Sequence, residues 1–185
     1  MKSILILVIF VTATLAGCAS LSRDQCLQGD WYAVGVGDGQ LGMPVDRLDQ
    51  HLKACSQYGV GIDQQRYLEG RADGLAEYCQ LDNAFATGLN GHRYQGACPP
   101  AMDAPFERAN KAAYEVYTLR QELDSIDSQL ATLEDDLLDR DLADHRRRLR
   151  AEIRELDRQR DRLRADLYAA QCHLDRLMDE ARFLP

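Results

Sequence analysis

The chain has 185 residues, with 22 Lys and Arg against 30 Asp and Glu, a formal net charge of −8 and six cysteines. That acidity argues against nucleic acid and against anionic lipid headgroups as partners, and the length suits one domain or a small domain with an extension. The sequence has no phosphate-cradling glycine loop, no HExxH and no local Ser/His/Asp signature, so it is expected to be non-enzymatic.

The first residues decide where the rest resides. Lys2 precedes an apolar run from Ile4 to Leu15 that is too short to span a bilayer comfortably and ends in small residues, the layout of a secretory signal peptide over residues 1–17. Leu15-Ala16-Gly17-Cys18 resembles the bacterial lipobox. The resemblance implies cleavage before Cys18, a diacylglyceryl group on its thiol and an acyl chain on the new amine, with no other cofactor expected. Each buried methylene contributes about 0.8 kcal/mol, so several chains hold firmly where one is marginal. The mature chain is therefore expected to be anchored to a membrane and not to span it. By resemblance to Gram-negative lipoprotein sorting, Ala19 in place of an Asp implies the outer membrane, on its periplasmic side. Removing residues 1–17 takes away one Lys and no acid, so the balance moves from −8 to −9 on 168 residues.

Composition divides the mature chain near Pro99-Pro100, into a Cys/Gly/Tyr module (18–100) and a charged segment (101–185) in which residues 105–185 carry 15 Lys/Arg, 19 Asp/Glu and no Gly. An all-α fold is expected for both. Ser22 with Gln25 forms a capping box that opens a helix running through Trp31 to about Gly39. Pro44 suits the first turn of a second helix, from about Val45 to Tyr58, closed by Gly59. Asp63 caps a third, running to about Cys79. Asn90-Gly91 and Cys98-Pro99-Pro100 read as turn and loop.

The module contains a repeat: Tyr32-x2-Gly35-x2-Asp38-Gly39 and Tyr67-x2-Gly70-x2-Asp73-Gly74, with a degraded third copy at Phe85-x2-Gly88-x2-Gly91. On a helix each copy presents a Tyr and two glycines in one stripe. Each internal glycine costs roughly 1 kcal/mol against Ala, so something compensates. Close approach of two helix backbones is the favoured explanation. The other is a ligand admitted at the bare backbone, with Asp38 and Asp73 as polar handles and Trp31 and Tyr32 as stacking surfaces.

With Cys18 lipidated, five cysteines remain, as expected of an oxidising compartment. Cys26 opens the first helix and Cys55 nearly ends the second, so an antiparallel pair sets them side by side, while Cys79 with Cys98 closes a local loop. That pairing is the one chosen among three connectivities, and each closure could stabilise the small core by about 3 kcal/mol. Cys172 is left over, free or bridging two chains. His51 and Cys55, one turn apart, could share a metal, but a disulfide at Cys55 is favoured and no metal site is expected. His92, His145 and His173 are isolated. A hydrolytic site assembled in space from Asp and His side chains is the least favoured reading, and His51 is the residue through which it would be tested.

Taken together, Cys26-x2-Gly29-Asp30-Trp31-Tyr32-x2-Gly35-x2-Asp38-Gly39, then Arg47-x3-His51-x3-Cys55, Tyr67-x2-Gly70-x2-Asp73-Gly74, Tyr78-Cys79 and Cys98-Pro99, resemble the bacterial lipoproteins catalogued as domain of unknown function 2799. The resemblance implies a Gram-negative envelope lipoprotein with no established activity and a variable charged C-terminal helix. It carries over no catalytic residue.

In the charged segment, apolar residues recur at four-and-three spacing from Ala112 to Leu137 and again from Leu149 to Leu177, and each set is a coiled-coil seam. The two sets differ in phase. Folding the segment about residue 141 pairs Leu133 with Leu149, Ile126 with Leu156 and Leu119 with Leu163, and brings Glu134-Asp135-Asp136 opposite Arg146-Arg147-Arg148. An antiparallel helical hairpin is expected, with a continuous helix in a parallel dimer as the alternative. The functional expectation is a non-enzymatic structural or protein-contact role through the hairpin, toward an envelope protein or a second copy. Binding of a glycan or small ligand at the Tyr/Gly stripes is the alternative.

Overall fold

The computed structural model describes residues 20–138 and 145–183. The expected signal peptide, the lipidation site Cys18 and the expected hairpin turn around residue 141 lie outside these. The described residues form an all-α fold of seven helices: α1 (Arg23–Gln28), α2 (Trp31–Gln40), α3 (Arg47–Ser56), α4 (Gln64–Tyr78), α5 (Leu81–Leu89), α6 (Pro100–Leu138) and α7 (Arg146–Ala181).

Local chemistry sets most of the boundaries. The Ser22 hydroxyl accepts from the Gln25 backbone while the Gln25 side chain accepts from Ser22, a complete capping box. The helix that it opens stops at Gln28 and does not continue to Gly39. Gly29 takes φ 68°, a left-handed cap that a side chain would strain. Asp30 then starts α2 afresh, its carboxylate accepting from the Ala33 N–H at 3.1 Å. Pro44 opens a tight turn of i to i+3 bonds that delays α3 to Arg47. Asp63 caps α4 through the Arg66 N–H. The helix α5 was not expected. It fills the interval between Cys79 and the Asn90-Gly91 turn, and its Thr87 hydroxyl donates back to the Asn83 carbonyl.

Two cores result. One gathers Leu21, from the segment before α1, with Cys26, Trp31, Leu48, Cys55 and Tyr67 from α1 to α4. The other runs from Leu75, Tyr78 and Phe85 through Phe106, Ala113 and Val116 to Ala170 and Leu174, so it joins α4 and α5 to the base of α6 and α7 across residue 100. A disulfide staples each: Cys26–Cys55, with Cα atoms 5.4 Å apart, and Cys79–Cys98, at 5.7 Å. This is the connectivity expected from the sequence, and Cys172 is a free, exposed thiol.

The helices α6 and α7, of 39 and 36 residues, are an antiparallel hairpin with arms of about 55 Å. The end of α7 shares a core with the start of α6, and Leu123, Ile126 and Leu130 are buried along the seam. The register differs from the one expected. Arg160 pairs with Asp127 at 3.6 Å, where folding about residue 141 would bring position 155 or 156. The arms are displaced by about one turn from that register. Consequently, among the described residues, no ion pair joins Glu134-Asp135-Asp136 to Arg146-Arg147-Arg148.

Candidate functional site

The helices α2 and α4 carry the two copies of the repeat, and they cross with their glycines facing each other's backbone. A Cβ at Gly35 would lie 2.0 Å from the Tyr67 carbonyl oxygen, and one at Gly70 would lie 2.1 Å from that of Tyr32. Gly39 stands likewise against Arg71, at 2.4 Å, and Gly74 against Val36, at 2.2 Å. The contacts exchange when the two copies are exchanged, so the crossing has an approximate two-fold axis. Such proximity admits only glycine and gains backbone dispersion and weak Cα–H···O contacts. The stripes have no room for a ligand, since each helix's backbone occupies the space the other leaves. Trp31, 8% exposed, lies in the core and presents no stacking surface.

The tyrosines and aspartates of the repeat meet across the same axis. The Tyr32 hydroxyl donates to Asp73 at 2.5 Å, and the Tyr67 hydroxyl donates to Asp38 at 2.8 Å. The two pairs are chemically equal and differ in surroundings. Tyr32 and Asp73 are at the surface, with the Arg66 guanidinium 5.0 Å above the Tyr32 ring. Tyr67 and Asp38 are buried, because α3 covers only that side.

From α3 comes His51, 1% exposed, whose Nε2 lies 2.7 Å from the same Asp38 oxygen and whose Nδ1 lies 2.8 Å from the Ser20 hydroxyl. A ring protonated on Nε2 donates to Asp38 and accepts from Ser20. Ser20, His51, Asp38 and Tyr67 thus form one polar chain from the start of the described residues into the core. Burial alone would raise the Asp38 carboxyl; the hydrogen bonds from His51 and Tyr67, helped by the Arg47 charge, hold it below its ordinary value instead. Burial and the Asp38 carboxylate push the Tyr67 phenol well up.

Ser, His and Asp in line are the groups of a nucleophilic hydrolase. Here the imidazole is buried, and the five cavities described are lined by other residues. The chain is suited instead to docking the N-terminal segment on the module: Ser20 ties to α3, and Leu21 is buried beside it. Sequence reasoning named Asp38 and His51 separately and missed their contact, since 13 positions separate them in an irregular connection. Cys55, the possible co-ligand of His51, is in a disulfide. Among the described residues no group of three or more His, Cys, Asp or Glu is placed to hold a metal.

The second core has its own organiser. Asn110, buried on α6, accepts from the Tyr94 N–H at 2.8 Å and donates to the carbonyls of His92 and Ala84, so it binds the loop after α5 to the hairpin. Tyr94 adds its hydroxyl to Asp103, and the Cys98 N–H donates to it. Burial and the Asp103 hydrogen bond push that phenol up to about 12. Gly88, in the degraded third copy, meets the Asn110 carbonyl, where a Cβ would lie 2.5 Å away. The third copy therefore packs α5 on α6 by the same device.

Beyond this core the hairpin carries a separation of charge. Residues 121–138 of α6 hold six acids and no base, and residues 146–164 of α7 hold nine arginines and four acids. Leu133, Leu137, Leu149, Ile153, Leu156 and Leu163 of the seam are only half-buried there.

Helices α2 to α5 and the first part of α6 are the ground covered by a known family. Residues 30–115 match the family described as "Protein of unknown function (DUF2799)". It is also 35% identical over 69 residues to the uncharacterized protein YfiL of Escherichia coli (strain K12), over 37% of this chain and 52% of that protein. The chain thus spans about half the length of the curated relative it matches. No solved structure matches it. The match ends at residue 115, so the rest of the hairpin lies outside the matched residues.

Proposed function

We propose that this chain is an outer-membrane lipoprotein, anchored on the periplasmic side through Cys18, whose helical module carries a hairpin for protein contact. The role is structural and non-enzymatic. The observation that supports it is the hairpin itself. Its base is built into the module's second core, while its distal half continues on two helices alone, with a half-buried seam between flanks of opposite charge. Two helices bury little apolar surface, so a further helical surface would complete the seam. The Ser20–His51 contact supports a short link between anchor and module, because only Ala19 separates Ser20 from Cys18.

Labelling with radioactive palmitate, followed by membrane fractionation, tests the anchor. Wild type should be labelled and sediment with outer membranes, and Cys18→Ser should be unlabelled and soluble. Retention of Cys18→Ser in the membrane fraction would contradict the anchor. The contact role is tested by crosslinking from Leu138, which is 79% exposed at the end of α6.

A further inference from the structure

We infer that the distal half of the hairpin is the docking surface for a second copy of this chain, the acidic flank of α6 in one copy lying against the basic flank of α7 in the other. The inference rests on the reading of the hairpin as a contact surface and names the occupant.

Charge points to a second copy. A single hairpin uses its opposite charges between the arms once: among the described residues only Asp127 and Arg160 form an ion pair there. Glu122, Asp124, Glu134, Asp135 and Asp136 on α6 make no ion pair among the described residues, and neither do the exposed Arg147, Arg148, Arg150 and Arg154 on α7. Each copy therefore offers an open acidic flank and an open basic flank. A helix pair from an unrelated protein would have to match both signs. Another copy matches them by symmetry, because a two-fold interface places the same patch on both sides.

The geometry selects the arrangement. With a two-fold axis along the hairpin, four helices alternate around a bundle, and each α6 lies between its own α7 and the partner's. Every neighbouring pair is then antiparallel and of opposite charge. An arrangement that sets α6 on α6 puts like charges together and is disfavoured. The half-buried seam leucines supply the apolar surface, with the groove of about 430 Å³ beside Ile126 and Leu163 as the place a partner side chain enters. The exposed charges set orientation and partner choice more than affinity.

Sedimentation equilibrium of the mature chain in a Cys18→Ser, Cys172→Ser background, which removes lipid and stray disulfides, tests this. A dimer is expected. Two variants reverse one flank each: Glu134→Lys with Asp135→Lys and Asp136→Lys, and Arg147→Glu with Arg148→Glu and Arg150→Glu. Each alone should weaken dimerisation at least tenfold, and mixing the two should restore a heterodimer, since each then supplies the sign the other lacks. Circular dichroism checks that both keep their helix content. If a variant loses its helices, Glu134→Gln with Asp136→Gln replaces it, with the same direction expected. A wild-type monomer at 100-fold the concentration used for the variants overturns the inference, as does a dimer that neither reversal weakens. Crosslinking from Leu138 in cells separates the two ideas. A monomer whose Leu138 captures a different, identified envelope protein overturns the second copy and keeps the contact surface; a monomer that captures nothing overturns both.

Discussion

Tyr67 and Asp38 lie 29 positions apart in the chain and 2.8 Å apart in space, and the bond is buried where its symmetry mate, Tyr32 to Asp73, is exposed. One repeat thus supplies a core hydrogen bond on one side of the α2/α4 crossing and a surface one on the other. Hydrogen bonds to a buried charge are worth roughly 1.5–3 kcal/mol, and exposed ones much less. Tyr67→Phe is therefore expected to lower unfolding free energy by about 2 kcal/mol and Tyr32→Phe by no more than about 0.5 kcal/mol. Urea denaturation followed by circular dichroism measures both, and equal costs would contradict the asymmetry.

The same pair sets a pH dependence. The Asp38 carboxyl is held below its ordinary value of 3.8 in the folded chain, so the unfolded chain binds its proton first as pH falls. Its contribution is complete above about pH 4 and is lost as pH drops through the depressed folded value. The melting-temperature advantage of wild type over Asp38→Asn should be constant at neutral pH and shrink below pH 4. Tyr67 acts at the other end: its raised value makes its contribution complete below about pH 10 and lost above it. A gap independent of acid pH would contradict the first statement.

The glycines of the stripe are expected to divide sharply. A methyl at Gly35 or Gly70 meets a carbonyl at 2.0 or 2.1 Å, which only a shift of the whole helix relieves. Overpacking of this kind costs about 1–3 kcal/mol or more, so Gly35→Ala and Gly70→Ala should be strongly destabilised. Gly37, on the same helix, has nothing within 4 Å, and Gly37→Ala should be neutral or gain up to about 1 kcal/mol. Thermal melts of the three variants decide it.

Each disulfide closes a loop, with separations of 29 and 19 residues, for which chain entropy predicts about 3–4 kcal/mol of stabilisation. Cys26→Ser with Cys55→Ser should lower stability by that order, and Cys79→Ser with Cys98→Ser by slightly less. Cys172→Ser, at an exposed free thiol, should leave the monomer's stability unchanged. Melts with and without reductant check this, since reduction should bring wild type down toward the variants.

What was legible in the sequence is what local chemistry and periodicity determine. The Ser22/Gln25 capping box and the Asp63 cap depend on residues a few positions apart, the paired seam on a sustained repeat, and the disulfides, at separations of 29 and 19, on where the cysteines fall at helix ends and around a local loop. The break at Gly29 was hidden because a glycine followed by Asp30 both ends one helix and caps the next, while the apolar pattern runs on through it. The helix α5 lacks a capping side chain at Gln80 and so carries no start signal. The Ser20–His51–Asp38 chain arises from three segments whose meeting depends on how α3 packs on the α2/α4 crossing. The one clue was the repeat: two copies related by a two-fold axis must exchange partners, which puts each Tyr on the other copy's Asp. The hairpin register slipped by a turn because seam periodicity is satisfied equally well one turn along.

The central claim, that the hairpin is the working surface and the module its mount, is tested most directly by photo-crosslinking in intact cells from paired positions. One is Leu138, at the end of α6; the other is Leu68, exposed on the module's α4. The account predicts a defined adduct from Leu138, either a second copy or one identified envelope protein, and none from Leu68. Adducts from Leu68 with none from Leu138 would contradict it and move the working surface to the module.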